Sequence, residues 1–335
     1  MPGKIDIHTH ILPPKLPNFK AKFGYGGFMG LEGGWMVRDD GTRFRKVEAN
    51  LWDAKRRMAE MDETGVSMQV LSTVPVMFSY WARAKDGLEL SRFLNDHIAE
   101  VVSSHQDRFS GLGTLPLQAP KLAVKEMERC RSMLGLAGVQ IGTNVNGTNL
   151  DDPSLFPVFE AAAELGMAVF VHPWDMLAPE RMKKYWMPWL VGMPAELTLA
   201  ISSLMFSGLF ARLPKLRIAF AHGGGCFGAS FGRLEQGFKA RPDLCAVDNP
   251  ASPRAVLGRF YVDSLVHDAK LLSYLIDLFG ADRIALGTDY PFPLGETEPG
   301  RLISKMTLNP QVKERLLSGT ALEWLGKTQG VLHAH

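Results

Sequence analysis

The sequence predicts an α/β protein, a (β/α)8 TIM barrel with a small insertion after the first strand. Three observations carry that prediction. Eight short β-branched or apolar runs recur along 335 residues, with amphipathic helical stretches between them. Such alternation implies parallel βαβ units, and eight strands is the number that closes a barrel. Four of the nine histidines fall at the ends of these runs, where a barrel builds its active site. A doubly wound open sheet is the competing arrangement.

In chain order, strands are predicted near Lys4–Ile7, Ser67–Thr73, Ser110–Leu115, Gly138–Ile141, Met167–Val171, Arg217–Ala221, Arg259–Asp263 and Arg283–Leu286. Helical periodicity over Ala54–Thr64 leads into the second strand. Further helices are expected over Gly87–Ser104, Lys121–Leu134, Ser154–Leu165, Ala195–Phe210, Phe227–Lys239 and Ala269–Phe279, with a C-terminal set from Arg301 onward. About forty residues rich in glycine and aromatics separate the first strand from Trp52. A connection that long reads as a lid or inserted subdomain at about 13–50. Its glycines have no strand–loop–helix context and so form no phosphate cradle. No internal repeat or linker divides the chain, so 1–335 is expected to be one domain.

Composition narrows the function. Hydrophobic residues make up 46% of the chain, ample for a large core. Lys plus Arg (37) against Asp plus Glu (35) leaves a net charge of +2, with both signs scattered. That pattern excludes a polybasic nucleic-acid or anionic-membrane surface. Cys130, Cys226 and Cys245 are odd in number and lack a C-x-x-C, against a disulfide framework or a cysteine zinc knuckle. The N-terminus reaches Asp6 and His8 too early for a secretory signal. The apolar run Leu197–Ala211, at fifteen residues, falls below the roughly 18 needed to span a membrane and predicts a buried helix. A cytosolic, reduced setting is expected.

The chemistry concentrates at strand ends. His8 and His10 form H-x-H, and residues i and i+2 of a strand share a side, so both rings can face one ion. His172 ends the fifth strand, His222 the sixth and Asp289 the eighth. On a barrel these five converge at one mouth. Three imidazoles and a carboxylate suit Zn²⁺ with a position left for water, whose pKa the metal lowers to about 7. The remaining histidine can shuttle the proton. Strand four, Gly138-Val139-Gln140-Ile141-Gly142-Thr143, carries no lysine to bridge two ions, which favours one metal. Taken singly, His172 reads equally as a core histidine and Asp289 as a helix N-cap. His97 and His105 read as solvated, and His267, His333 and His335 as non-ligands. Gly228-Ala229-Ser230-Phe231-Gly232 matches G-x-S-x-G, and the order Ser230, Asp263, His267 fits an α/β-hydrolase triad. The context fails, because Ser230 falls inside a helix and not on a strand-to-helix turn.

These motifs carry a resemblance. The H-x-H pair, His172-Pro173-Trp174-Asp175, the glycines after His222, and Gly287-Thr288-Asp289-Tyr290-Pro291-Phe292-Pro293-Leu294-Gly295 resemble the amidohydrolase superfamily, decarboxylase branch. The likeness runs from Lys4 to about Gly326 and takes in Leu71–Trp81 and Tyr185–Glu196. Thr9, where serine is usual, and the His333-Ala334-His335 tail are the departures. The resemblance implies one Zn²⁺ per subunit held by His8, His10, His172 and Asp289, with His222 as acid/base. It further implies that Arg45 binds a substrate carboxylate and that Trp189 walls the pocket. It implies a homodimer whose partner lends an arginine, Arg233 by motif position, with Arg241 close by. The expected reaction is non-oxidative loss of CO₂ from a small dicarboxylate with a conjugated enamine–aldehyde system, its carboxylates held by arginine forks. A decarboxylase of resorcylate-like aromatic acids, a zinc hydrolase and a catalytically dead scaffold are the alternatives, and iron or cobalt can replace zinc.

Overall fold

The computed structural model describes residues 3–327. Eight parallel strands form one sheet in chain order: β1 (Lys4–Ile11), β2 (Val66–Thr73), β3 (Phe109–Thr114), β4 (Gly138–Gly142), β5 (Ala168–His172), β6 (Arg217–Phe220), β7 (Tyr261–Asp263) and β8 (Ile284–Ala285). The segment after β8 closes the ring. Backbone bonds Ile7 N–H to Leu286 O (2.9 Å), Asp289 N–H to His8 O (2.9 Å) and His10 N–H to Tyr290 O (2.8 Å) tie it to β1. Buried Asp6 adds to the seam by accepting from the backbone N–H groups of His8 and Thr288, each at 3.1 Å. The molecule is therefore a closed (β/α)8 barrel, not an open doubly wound sheet.

The ring helices are α1 (Ala54–Thr64), α2 (Ala84–Ser104), α3 (Pro120–Ser132), α4 (Phe156–Glu164), α5 (Met193–Phe206), α6 (Phe227–Ala240) and α7 (Ala269–Phe279). Local signals fix their ends. Asp53 caps α1 by accepting from the N–H groups of Lys55 and Arg56, and Asp268 caps α7 at Leu271; each such cap contributes about 1 kcal/mol. The core runs between barrel and ring, from Ile5, Val70 and Leu112 round to Phe220, Ile284 and Trp324.

Two expectations need correction. The apolar helix is buried on one side only: α5 packs Leu197, Ala200, Ile201 and Leu204 inward, while Leu199 on it, and Leu190 and Val191 in the turn before it, stay exposed. Pro188–Phe206 is, by length and composition, long and apolar enough to cross a membrane. His97 is not solvated but half-buried, because α2 packs its Leu90 and Leu94 beside Leu12 at the end of β1. His333 and His335 lie outside the described residues.

Between β1 and α1 the chain forms a short helix, Phe19–Phe23, and a three-stranded antiparallel sheet of Gly30–Glu32, Trp35–Val37 and Arg43–Lys46. Gly33 and Gly34 turn the first hairpin with φ of 54° and 78°, the left-handed pair that a two-residue turn requires. Phe19, Phe28, Met29 and Met36 of this unit pack with Leu90 and Leu94 of α2 and with Phe292. That packing suspends its last strand, and Arg45 on it, over the mouth of the barrel.

Candidate active site and metal centre

His8 and His10 from β1, His172 at the tip of β5 and Asp289 after β8 each offer one ligand atom, all within 4.8 Å of one another. Their hydrogen bonds set the tautomers. His10 Nδ1 lies 3.0 Å from Thr73 O and His172 Nδ1 3.0 Å from Pro173 O. A carbonyl only accepts, so both rings carry their proton on Nδ1 and turn the Nε2 lone pair to the centre. His8 Nδ1 sits 2.7 Å from Asp263 Oδ2, so it too is protonated at Nδ1 and presents Nε2 to the centre. The Nε2 atoms of all three histidines are buried without a hydrogen-bond partner. Asp289 Oδ1 stands 3.0 Å from His10 Nε2 and 3.4 Å from His8 Nε2. Three orphaned imidazole nitrogens and a carboxylate aimed at one point fit a borderline-soft divalent cation.

Electrostatics agree. Burial, then the neighbouring rings of His8, His10 and His222, hold His172 well below its ordinary pKa. Burial also pushes the Asp289 carboxyl upward, but its contacts with His10 and His8 more than offset this and hold it well below the usual range. Burial works against a charge on His8 too. Its flanking carboxylates, Asp263 and Asp289, nevertheless raise it to about 10. His8 thus carries the proton that a bound cation displaces.

His222 completes the cluster without joining the four ligands. Its ring centroid is 5.1 Å from that of His8 and 5.2 Å from that of His172. Burial and the His8 charge lower its pKa to about 4, leaving a neutral imidazole at pH 7. Both His222 (φ 52°) and Asp289 (φ 59°) have left-handed backbones. Such conformations cost free energy and gather at functional sites.

Arg45 and Trp189 both line the cleft above the metal-ligating cluster. Arg45 lines this narrow cleft with His10, His172, Asp289, Phe292 and Trp189. Its guanidinium carbon is 4.3 Å from the Phe292 ring centroid and 5.7 Å from that of Trp189; no salt bridge among the described residues holds it, and Asp289 acts on its charge from beyond contact. Trp189 also borders a second cavity of about 290 Å³ that reaches His222, Cys226 and Leu265. Arg233 and Arg241 are not brought in. Both are exposed at α6 and beyond its end, and Arg241 is held by Asp243 through Nε–Oδ1 (2.8 Å) and Nη2–Oδ2 (2.6 Å). Ser230 lies inside α6, so the serine-hydrolase arrangement is absent. Sequence reasoning missed Asp263 as the partner of His8; its place at the end of β7 was the available signal.

The chain matches the amidohydrolase family over residues 5–327. It is 55% identical to the 2-amino-3-carboxymuconate-6-semialdehyde decarboxylase of Dictyostelium discoideum, covering 96% of this chain and 91% of that protein. It is 38% identical to the Caenorhabditis elegans enzyme of the same name, covering 98% and 96%. Among solved structures, 5-carboxyvanillate decarboxylase from Sphingomonas paucimobilis superimposes with a TM-score of 0.83 at 24% identity, covering 98% of this chain and all of that one. The barrel with its histidine–aspartate mouth and the extent of this likeness lead to one conclusion: the chain belongs to the amidohydrolase family, and within it to the carboxy-lyases that remove CO₂.

Proposed function

We propose that the protein decarboxylates 2-amino-3-carboxymuconate 6-semialdehyde to 2-aminomuconate 6-semialdehyde without an oxidant, using one Zn²⁺ held by His8, His10, His172 and Asp289. The single observation that carries this substrate is the 55% identity over 96% of the chain. In the cytosol, as a step of tryptophan breakdown by the kynurenine route, the reaction would divert the substrate from spontaneous cyclisation to quinolinate.

The residues suit the task. Arg45 is a cation held by no salt bridge among the described residues at the wall of the cleft, and its planar fork can take one substrate carboxylate bidentately. Phe292, Trp189 and Phe44 pack round it, and apolar neighbours lower the local dielectric in which the pair would form. The metal, when bound, supplies a Lewis acid and lowers the pKa of an adjacent water. A proton added to the carbon that bears the departing carboxylate makes that carbon tetrahedral and lines its C–C bond up with the conjugated enamine–aldehyde system; when CO₂ leaves, the electron pair of the broken bond restores the conjugation. Neutral His222, facing the same centre, is the group that takes up a proton and delivers it to that carbon.

A homodimer is part of this proposal. Tyr185, Trp186, Leu190, Val191 and Leu199, close together in the chain around the start of α5, are exposed large apolar side chains, and clustered apolar exposure marks protein–protein contacts. Arg233 has no acidic partner among the described residues, whereas Arg241 is engaged by Asp243. Arg233 is therefore the arginine free to be lent to a second active site.

The test follows decay of freshly generated substrate with CO₂ capture, before and after chelator treatment and after Zn²⁺ is restored. Loss on stripping and recovery with Zn²⁺ support the reading. A folded, zinc-loaded protein that fails to exceed spontaneous cyclisation refutes the substrate. Release of CO₂ from a resorcylate-type acid in that sample would move the assignment to aromatic decarboxylation.

A further inference from the structure

The geometry points to Asp263 as a positioning residue: it fixes both the tautomer of the ligand His8 and the backbone that carries His222. The inference rests on the metal centre described above. Asp263 is fully buried at the end of β7, and its two oxygens face different elements. Oδ2 is 2.7 Å from His8 Nδ1. Oδ1 accepts from the N–H of Gly223 at 2.8 Å and from that of Leu265 at 3.1 Å. One carboxylate thus joins β1 to the turn that holds His222 in its left-handed conformation.

The barrel makes room for this bridge. Gly287, just past β8, lies beside both side chains, and a Cβ built there would stand 2.7 Å from Asp263 Cβ and 2.9 Å from His8 Cβ. Any larger residue would wedge the two apart. Asp263 is also the feature that the triad-like order Ser230, Asp263, His267 left unexplained. Its partner in space is His8, 255 residues away, and not His267.

Hydrogen-bond chemistry gives the contact its force. Two backbone donors and one ring donor converge on Asp263, and only a carboxylate presents acceptors on both sides. Asparagine has one acceptor side. With two N–H groups at Gly223 and Leu265 against one at His8, its carbonyl oxygen turns to the backbone. Its amide NH₂ then donates to His8 Nδ1, which moves the ring proton to Nε2 and removes the lone pair owed to the metal. Alanine removes the acceptor but imposes no tautomer.

The experiment measures Zn²⁺ affinity by chelator competition for the wild-type protein, Asp263→Asn and Asp263→Ala, with thermal melting of each metal-free protein as the folding control. Loss of an outer-shell partner lowers metal affinity about 10- to 100-fold. The expected result is a loss in that range for Asp263→Asn and a smaller one for Asp263→Ala. A packing role gives the reverse order, because asparagine is the isosteric replacement. The inference is overturned if folded Asp263→Asn binds within about twofold of wild type, or if Asp263→Ala loses more. Should Asp263→Asn not fold, a tenfold loss in Asp263→Ala supports the inference and an unchanged affinity overturns it. A wild-type protein that binds no Zn²⁺ refutes the metal centre itself, a failure distinct from the others.

Discussion

In the proposed mechanism His222 acts on turnover and not on folding. Its ring makes no hydrogen bond among the described residues, so replacing it removes chemistry and little packing. For His222→Asn we expect kcat to fall by roughly 10²- to 10⁴-fold, the range typical of a lost general acid/base, with a melting temperature near that of wild type. A decarboxylation rate close to wild type would remove the histidine from the mechanism. Arg45 separates differently. Burial lowers its pKa from the usual guanidinium value, yet it stays charged at neutral pH because that value starts so high. Arg45→Lys keeps the charge and loses the bidentate fork, so KM should rise at least about tenfold, roughly 1.4 kcal/mol. Steady-state kinetics with unchanged KM would show that no carboxylate sits there.

At the scale of elements, Arg57 is the joint between β1 and its surroundings. This fully buried residue of α1 donates to His10 O at 2.6 Å, Asn50 O at 3.0 Å and Gln69 Oε1 at 3.1 Å, and its guanidinium lies 4.7 Å over the Tyr290 ring. Arg57→Met fills much of the volume but strands two buried acceptors, His10 O and Gln69 Oε1, at about 1–3 kcal/mol each, besides the half-buried Asn50 O. We expect a loss of at least about 2 kcal/mol in urea unfolding, and a loss under about 1 kcal/mol would contradict the joint. None of this was legible in the sequence, where Arg57 is one more charge on an amphipathic helix. The ligand set was legible, because H-x-H and the histidine or aspartate after a β-run are local signals that a barrel turns into one mouth. The three-stranded sheet was not, since strands of three or four residues are too short to show an apolar period. Nor was the brevity of β8 at Ile284–Ala285, whose pairing role passes to the loop bonded to β1. Contacts such as Asp263 to His8 join residues far apart in the chain, and no window on the sequence contains both.

For the whole molecule, closure of the barrel makes alkaline stability depend on buried phenols. Tyr80 is buried and accepts a hydrogen bond from the Gly142 N–H at 3.0 Å; burial raises its pKa above the ordinary value of 10. Tyr261 on β7 is raised to about 12 by burial and by Glu323, to which it donates at 3.1 Å. Both folded-state values lie above those of the unfolded chain, so the sign is fixed. Below pH 10 each phenol is protonated in both states and its contribution is fully present. Above pH 10 the unfolded chain releases protons that the barrel retains, and stability falls with rising pH until the folded value is passed. The melting temperature should therefore decline from pH 9.5 to pH 11. In a spectrophotometric titration, these two and Tyr290, whose pKa burial also raises, should ionise only in the step that coincides with unfolding, three of the six tyrosines. Tyr80→Phe and Tyr261→Phe should each remove one phenolate from that cooperative step and leave the gradual phase near pH 10 unchanged. If either substitution instead diminishes the gradual phase, that phenol titrates in the folded barrel, and the β7 or β4 wall beside it admits water that this closed structure excludes.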